Sequence, residues 1–98
     1  MTAYFVGSFL IKNPEPFAAY PPAFLPTIVP HGGEVIVADL DSEVLEGEPM
    51  PITIVMRFPD KVSIHAWYDS AEYQAIIHLR HDNADGTAVI VDEFSSGG

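Results

Sequence analysis

The order of strand-like and helix-like segments constrains this chain more than any other feature of its sequence. Two helical stretches separate four segments of strand length that are rich in β-branched and aromatic residues. The predicted strands are Tyr4–Ile11, Glu34–Ala38, Ile52–Phe58 and Thr87–Glu93. The order strand, helix, strand, strand, helix, strand predicts an α+β domain of the split βαβ type, an antiparallel sheet with helices on one face.

The two helical stretches differ in regularity. Asn13 before Pro14 is typical of a helix start, but prolines recur further along, so we expect a short helical turn, a kink and a second helical piece. The second stretch contains two cap residues. Asp60 predicts a helix to about Tyr68, and Ser70 predicts another from Ala71 to about Asp82.

The remaining segments are predicted to connect these elements. Residues 83–86 read as a turn, and the acidic run Asp39–Glu48 reads as a solvated edge or loop, with a short strand possible at Val44–Leu45. The 98 residues accommodate one domain, expected over residues 1–94, with a flexible tail over 95–98.

Charge and cysteine content narrow the function classes. The chain contains 4 Lys and Arg residues and 14 Asp and Glu residues. The resulting net charge of −10 disfavours both nucleic acid and anionic membranes as partners. The chain has no cysteine, which excludes disulfides, thiolate metal sites and cysteine nucleophiles. The start of the chain lacks a basic region ahead of an apolar run, so we expect a cytoplasmic protein.

The strands are apolar on both faces, whereas a sheet with one solvated face alternates apolar and polar residues. In the first strand Tyr4, Val6 and Leu10 point away from Phe5 and Phe9. The face without helices would therefore expose a large apolar patch. We expect a second copy of the chain to cover it in a homodimer; the alternative is a monomer whose loops and tail cover the sheet.

Several motifs occur in order along almost the whole chain. They are Gly32-Gly33, Val44-Leu45-Glu46-Gly47, Phe58-Pro59, Trp67-Tyr68, Ser70-Ala71-Glu72-Tyr73-Gln74 and Arg80. This series resembles the bacterial family called domain of unknown function 1330. The resemblance implies a ferredoxin-like subunit that pairs into a dimeric α/β barrel. Its structural relatives include cofactor-independent monooxygenases, lactone isomerases and haem enzymes, so the resemblance implies no single reaction.

The chain also departs from that family. Its members usually carry an arginine near the position of Ala38, so an anion contact made there by relatives would be lost. They also lack the prolines found here at Pro21, Pro22 and Pro26, and they have a proline in place of Ala71.

Five polar side chains are the candidate catalytic residues: Arg57, Tyr68, Tyr73, Arg80 and His31. Either arginine is suited to bind a carboxylate or enolate in a bidentate manner. The structural alternatives are an ion pair of Arg57 with Glu46 or another acid across the interface, and a helix-end position of Arg80 or its pairing with Glu72 or Asp69.

The tyrosines and the histidine carry proton chemistry. Each phenol of Tyr68 and Tyr73 is able to donate a hydrogen bond to a substrate oxygen or act as an acid, although buried structural tyrosines are commoner. His31 precedes two glycines, where the backbone is able to approach a ligand closely and an imidazole is able to serve as a base; packing is the alternative. His78 and His81 provide at most half of a metal site, so we expect neither a metal nor another cofactor.

Two functions remain open. The first is a small dimeric protein that binds or transforms a small organic acid or aromatic compound, by monooxygenase-like or isomerase-like chemistry, in a pocket between sheet and helices. The alternative is a non-catalytic dimeric binding or protein-interaction module in which the acidic run contacts a basic partner. No nucleophile elbow, phosphate-binding glycine loop or histidine-glutamate metal motif occurs.

Overall fold

The computed structural model describes residues 1–48 and 50–95 and confirms the predicted α+β order of elements. The strands are β1 (Ala3–Ile11), β2 (Glu34–Asp39), β3 (Ile52–Phe58) and β4 (Ala84–Asp92). The helices are α1 (Pro14–Phe17), α2 (Tyr20–Ile28), α3 (Lys61–Tyr68), α4 (Ala71–Gln74) and α5 (His78–His81), with a 3₁₀ turn at Val29–His31. The sheet is antiparallel in the ferredoxin-like order β2-β3-β1-β4.

Helices cover only one of the two faces of the sheet. The helix-covered face, called the inner face below, buries Phe5 and Phe9 of β1 and Met56 and Phe58 of β3. Side chains on the opposite, outer face are partly buried or exposed in the single chain. Pairing of the strands aligns four valines in one row across this outer face, in the order Val37, Val55, Val6 and Val89.

The core lies between the inner face and the helices and is rich in aromatic rings. Trp67 on α3 and Tyr73 on α4 are fully buried, with ring centroids 4.2 Å apart. The indole also contacts Phe5 edge-on at 5.5 Å and Phe58 at 5.7 Å. Buried aromatic pairs of this kind add stability beyond the area that they bury.

The predicted helix starts are confirmed at Asp60 and Ser70. The Asp60 carboxylate accepts a hydrogen bond from the backbone N–H of Ser63 at 2.7 Å, and the Ser70 hydroxyl accepts one from that of Tyr73 at 3.2 Å. Asn13 precedes α1 as predicted, but its side chain makes no capping hydrogen bond. The first helical stretch is divided into α1 and α2, as expected, with Pro21 in the first turn of α2, but Pro26 lies inside α2 and does not end it.

Three boundaries differ from the prediction. The helix expected over residues 71–82 is broken between α4 and α5, where the N–H groups of Ile76 and Arg80 bond to carbonyls three residues back. Two consecutive β-branched residues, Ile76 and Ile77, weaken the helix there. Residues 84–86, expected as a turn, belong to β4 because they pair with β1. Val44–Leu45 forms no strand.

The C-terminal tail is expected over residues 95–98. Ser95 lies beyond β4 and belongs to no helix or strand, and residues 96–98 lie outside the described residues. Within the described part of the chain, no helix has the length and apolar character needed to cross a membrane.

Gly86 provides a test of the β1–β4 pairing. Its φ is 154°, and a Cβ at this position would overlap the carbonyl oxygen of Ser8 on β1. Gly47 also has a positive φ, 97°, but a Cβ there would meet no atom within 4 Å. We therefore expect Gly47→Ala to lower the free energy of unfolding by about 1 kcal/mol and Gly86→Ala to lower it by about 3 kcal/mol or more. Chemical denaturation measures both, and equal losses would contradict the described register.

Candidate functional site

Arg80 occupies an unusual position for a charged residue. It lies on α5 and is only 7% exposed. Its guanidinium carbon lies 5.1 Å from the centre of the Phe9 ring on β1, which is a cation–π contact. The short helix α5 therefore directs a positive charge onto the inner face of the sheet.

This charge has no counter-ion within the described residues. The ion pairs in that part of the chain are Lys12–Asp85, Arg57–Glu34 and Lys61–Asp92, and none includes Arg80. The Nε atom of Arg80 is buried without a hydrogen-bond partner there. Burying an unpaired charge is costly, and proteins retain such groups chiefly where they serve a function.

Tyrosine hydroxyls surround the guanidinium but do not neutralise it. The hydroxyls of Tyr20 and Tyr73 are hydrogen-bonded to each other at 2.6 Å. Burial, followed by the neighbouring Tyr73, raises the pKa of Tyr20 well above its ordinary value. Burial by itself would lower the pKa of Arg80, but interactions with Tyr73, Tyr20 and Tyr68 outweigh it and raise that pKa. A phenol hydroxyl offers a dipole and not a full opposite charge, so these tyrosines do not replace a counter-ion.

A cleft of about 360 Å³ opens beside this arginine. We call it the Arg80 cleft; its walls include Phe9, Tyr68, Arg80, His81, Asp85 and Gly86. Asp85 is the acid on these walls, and Lys12 pairs with it at 3.4 Å. The cleft therefore presents a positive charge and a phenol, while its acid is occupied by another cation.

His81 adds a proton acceptor to the same wall. Its Nε2 accepts a hydrogen bond from Nη2 of Arg80 at 3.4 Å, a geometry that requires this nitrogen to be unprotonated. Burial and the charge of Arg80 lower the pKa of His81, while Asp82 acts in the opposite direction. The imidazole is therefore neutral at physiological pH and able to take a proton.

A second cleft of about 330 Å³ adjoins the first along β4. The two clefts share Tyr68 and Ala88, and the second is also lined by His65 and Asp69 of the α3 region. Tyr68 is half-buried and lies at the junction, where its ring is in contact with that of Tyr73 at 5.6 Å. A ligand in the Arg80 cleft has room to extend toward α3.

The structure brings together three of the five candidates from the sequence, Tyr68, Tyr73 and Arg80. Arg57 lies on the outer face and is exposed, and its pKa is raised by a hydrogen bond from its guanidinium to Glu34 of the same chain. His31 belongs to the 3₁₀ turn and lines a different cavity with Thr27 and Glu72. Arg57 and His31 are therefore separate from the Arg80 cleft.

Sequence reasoning did not identify His81 or Tyr20 as members of this site. His81 directly follows Arg80, and neighbouring residues of a regular helix point in different directions. Tyr20 lies 53 positions before its partner Tyr73, in the proline-rich stretch, so no local pattern connects the two residues. An arginine-histidine pair at the end of an apolar helical segment is the one local signal that points to His81.

The arrangement favours anion chemistry. A buried guanidinium stabilises negative charge on a carboxylate, enolate or phenolate, and a neutral imidazole beside it accepts protons. Within residues 1–48 and 50–95 there is no group of three or more His, Asp or Glu side chains placed to hold a metal ion.

Solved structures share this architecture at low sequence identity. A protein of unknown function from Rhodopseudomonas palustris superposes with a TM-score of 0.82 at 14% identity, over 96% of this chain and 83% of the other. SnoaB, a cofactor-independent oxygenase from Streptomyces nogalater, superposes with a TM-score of 0.67 at 8% identity, over 97% and 95%. The Rv0793 protein of Mycobacterium tuberculosis superposes with a TM-score of 0.60 at 12% identity, over 100% of both chains. At these identities the likeness concerns the fold.

Sequence comparison is more specific. None of the curated proteins matches this chain significantly. The sequence profile of the family described as domain of unknown function, DUF1330, matches residues 2–94. The match covers nearly the whole chain and agrees with the ferredoxin-like fold and with the motif series from Gly32 to Arg80. The chain therefore belongs to the DUF1330 family.

Proposed function

We propose that this protein binds a small organic carbonyl compound in the Arg80 cleft and transfers a proton from it, so that the negative charge develops beside Arg80. The observation that carries this proposal is the buried guanidinium without a counter-ion among the described residues, on the wall of an open cleft. An anionic group of the ligand would supply the missing charge and hydrogen bonds.

The chemistry follows from the neighbouring groups. The ligand first displaces the hydrogen bond from Arg80 Nη2 to His81 Nε2, which frees the lone pair of this nitrogen. Nε2 then takes a proton from the carbon next to the carbonyl group, the C–H bond breaks, and its electron pair moves to the carbonyl oxygen. Arg80 stabilises the resulting enolate, and Tyr68, on the wall of the same cleft, donates a hydrogen bond to it. If the proton returns at another carbon, the product is an isomer. Alternatively, the electron-rich enolate reacts with dioxygen, which is consistent with the fold that the chain shares with a cofactor-independent oxygenase.

Replacing Arg80 separates a binding role from a structural one. We expect Arg80→Met to abolish the increase in Tm that millimolar 2-oxobutanoate gives the unmodified protein. We also expect the unliganded variant to be at least as stable as the unmodified protein, because the substitution removes a buried unpaired charge. Thermal shift with and without the acid measures both effects.

Lys61→Met is the matched control for this experiment. It removes an exposed cation whose partner, Asp92, lies at the far end of β4 from Gly86. We expect this variant to keep the full ligand-induced shift. An Arg80→Met variant that is much less stable but still responds to 2-oxobutanoate would refute the binding role.

The lowered pKa of His81 determines how the rate of proton transfer should depend on pH. A base must be unprotonated, so we expect deuterium exchange at C3 of 2-oxobutanoate, followed by NMR in D₂O, to slow as the pH falls through a value below that of an ordinary histidine. The affinity for the acid is expected to hold or increase over the same pH interval, because protonated His81 adds a second positive charge near Arg80. The nearby carboxylates of Asp82 and Asp85 reduce this gain.

His81→Gln should remove the exchange while retaining the ligand-induced shift in Tm. If exchange in this variant keeps its rate and pH profile, His81 is not the base.

We further propose that two copies of the chain pair through the outer face of the sheet. The support is the row of valines across this face, of which Val37 is 40% exposed and Val89 is 49% exposed in the single chain. A continuous apolar surface of this kind is typical of a protein interface.

Charge placed in the valine row tests the pairing. We expect the unmodified protein to have the mass of a dimer by light scattering at micromolar concentration, and Val55→Lys to have that of a monomer, because two lysines would be buried opposite each other. If Val55→Lys does not fold, Val37→Lys, at a position that is already partly exposed, provides the same test of dimerisation. Val62→Lys, on α3 at a valine that is 76% exposed, should remain a dimer. A monomeric unmodified protein would contradict the proposal.

A further inference from the structure

An apolar cavity of about 480 Å³ shares the Phe9 side chain with the Arg80 cleft. It lies between α1, α2 and the inner face of β1, β2 and β3, and its lining surface is entirely apolar. Phe17 and Phe24 close it from the helices, and Ile52 and Ile54 form part of its floor on the sheet. This volume is within the range of small-molecule sites.

The composition of the walls explains why space remains. Ala38 of β2 places only a methyl group on this side of the sheet, while Pro21 and Pro26 shape the helix above it. Leu40, which is 70% exposed, and Leu25, which is 45% exposed, lie at the opening. An apolar ligand entering there would remove both leucines and the cavity walls from water.

Two aromatic residues are common to this cavity and to the surroundings of Arg80. One face of the Phe9 ring receives the guanidinium at 5.1 Å, and the same side chain lines the apolar cavity. Tyr20 also lines the cavity, while its hydroxyl is bonded to that of Tyr73 in the group beside Arg80. Phe9 is thus common to the walls of a wholly apolar space and of the cleft that holds a buried positive charge.

We infer that the ligand is amphipathic: its aliphatic or aryl part occupies the apolar cavity, and its anionic group reaches Arg80 past the edge of Phe9. This inference rests on the proposed function and adds the substrate class to it. The charge of Arg80 selects the acidic end, and the length of the cavity selects the apolar end. A purely polar acid would leave the cavity unfilled, and a neutral hydrocarbon would leave Arg80 unpaired.

A series of straight-chain carboxylates from acetate to octanoate tests both parts. We expect the dissociation constant, measured by NMR titration of the intact protein, to fall by about fourfold for each added methylene until the cavity is filled. Ala38→Leu, which fills part of the cavity, should raise the dissociation constant of octanoate at least tenfold and change that of acetate by less than twofold. Ala66→Leu, an equal enlargement at an exposed position of α3, should change neither.

The outcomes distinguish this inference from the proposed function. Equal affinity for all chain lengths, with loss of binding in Arg80→Met, would overturn the cavity assignment and leave the anion site standing. Chain-length dependence that persists at full affinity in Arg80→Met would overturn the anion site, and with it the amphipathic ligand. If Ala38→Leu does not fold, Leu40→Trp narrows the opening from an exposed position and should weaken octanoate in the same selective way; unchanged octanoate binding would count against the inference.

Discussion

The buried indole of Trp67 holds the helices to the sheet, and the geometry of the candidate site depends on it. Its ring contacts Phe5 of β1, Phe58 of β3 and Tyr73 of α4, and its Nε1–H donates a hydrogen bond at 2.9 Å to the hydroxyl of Thr27 on α2. One side chain therefore fixes elements that are far apart in sequence. Because a large aromatic residue buries more apolar area than any other type, this anchor is energetically dominant for a domain of 98 residues.

The position of Arg80 follows from that anchor. Trp67 sets the depth of Tyr73, and the hydroxyl of Tyr73 holds that of Tyr20 at the boundary between the apolar cavity and the charged cleft. The guanidinium then has the Phe9 ring in cation–π contact and tyrosine hydroxyls as further neighbours. Cation–π and dipole interactions offset only part of the cost of removing a charge from water. The fold therefore keeps a polar site that is not fully satisfied by the described residues, as a pre-organised anion site requires.

The sequence predicted the sheet well because strand periodicity is local. Alternation along β1 predicted that Phe5 and Phe9 share one face, which the structure shows to be the face under the helices, and the cap residues Asp60 and Ser70 located two helix starts. The break between α4 and α5 depends on bonds to carbonyls three residues back, which no propensity scale specifies. That break sets the direction of Arg80. The Tyr20–Tyr73 contact could not be predicted from a local pattern either, because only the packed structure brings the proline-rich stretch against α4.

The acidity of the chain also bears on the reaction. Of its four basic residues, Lys12, Arg57 and Lys61 are each paired with an acid, and Arg80 has no such partner among the described residues. The net charge of −10 repels anions at long range, so the affinity for an anionic ligand has to come from short-range contact with Arg80 inside the cleft. In the proposed reaction the charge of the enolate forms only as His81 takes the proton. Arg80 then stabilises the transition state more than the bound carbonyl group, and this difference accelerates a reaction. An acidic surface and a single buried cation are therefore compatible with the proposed proton transfer.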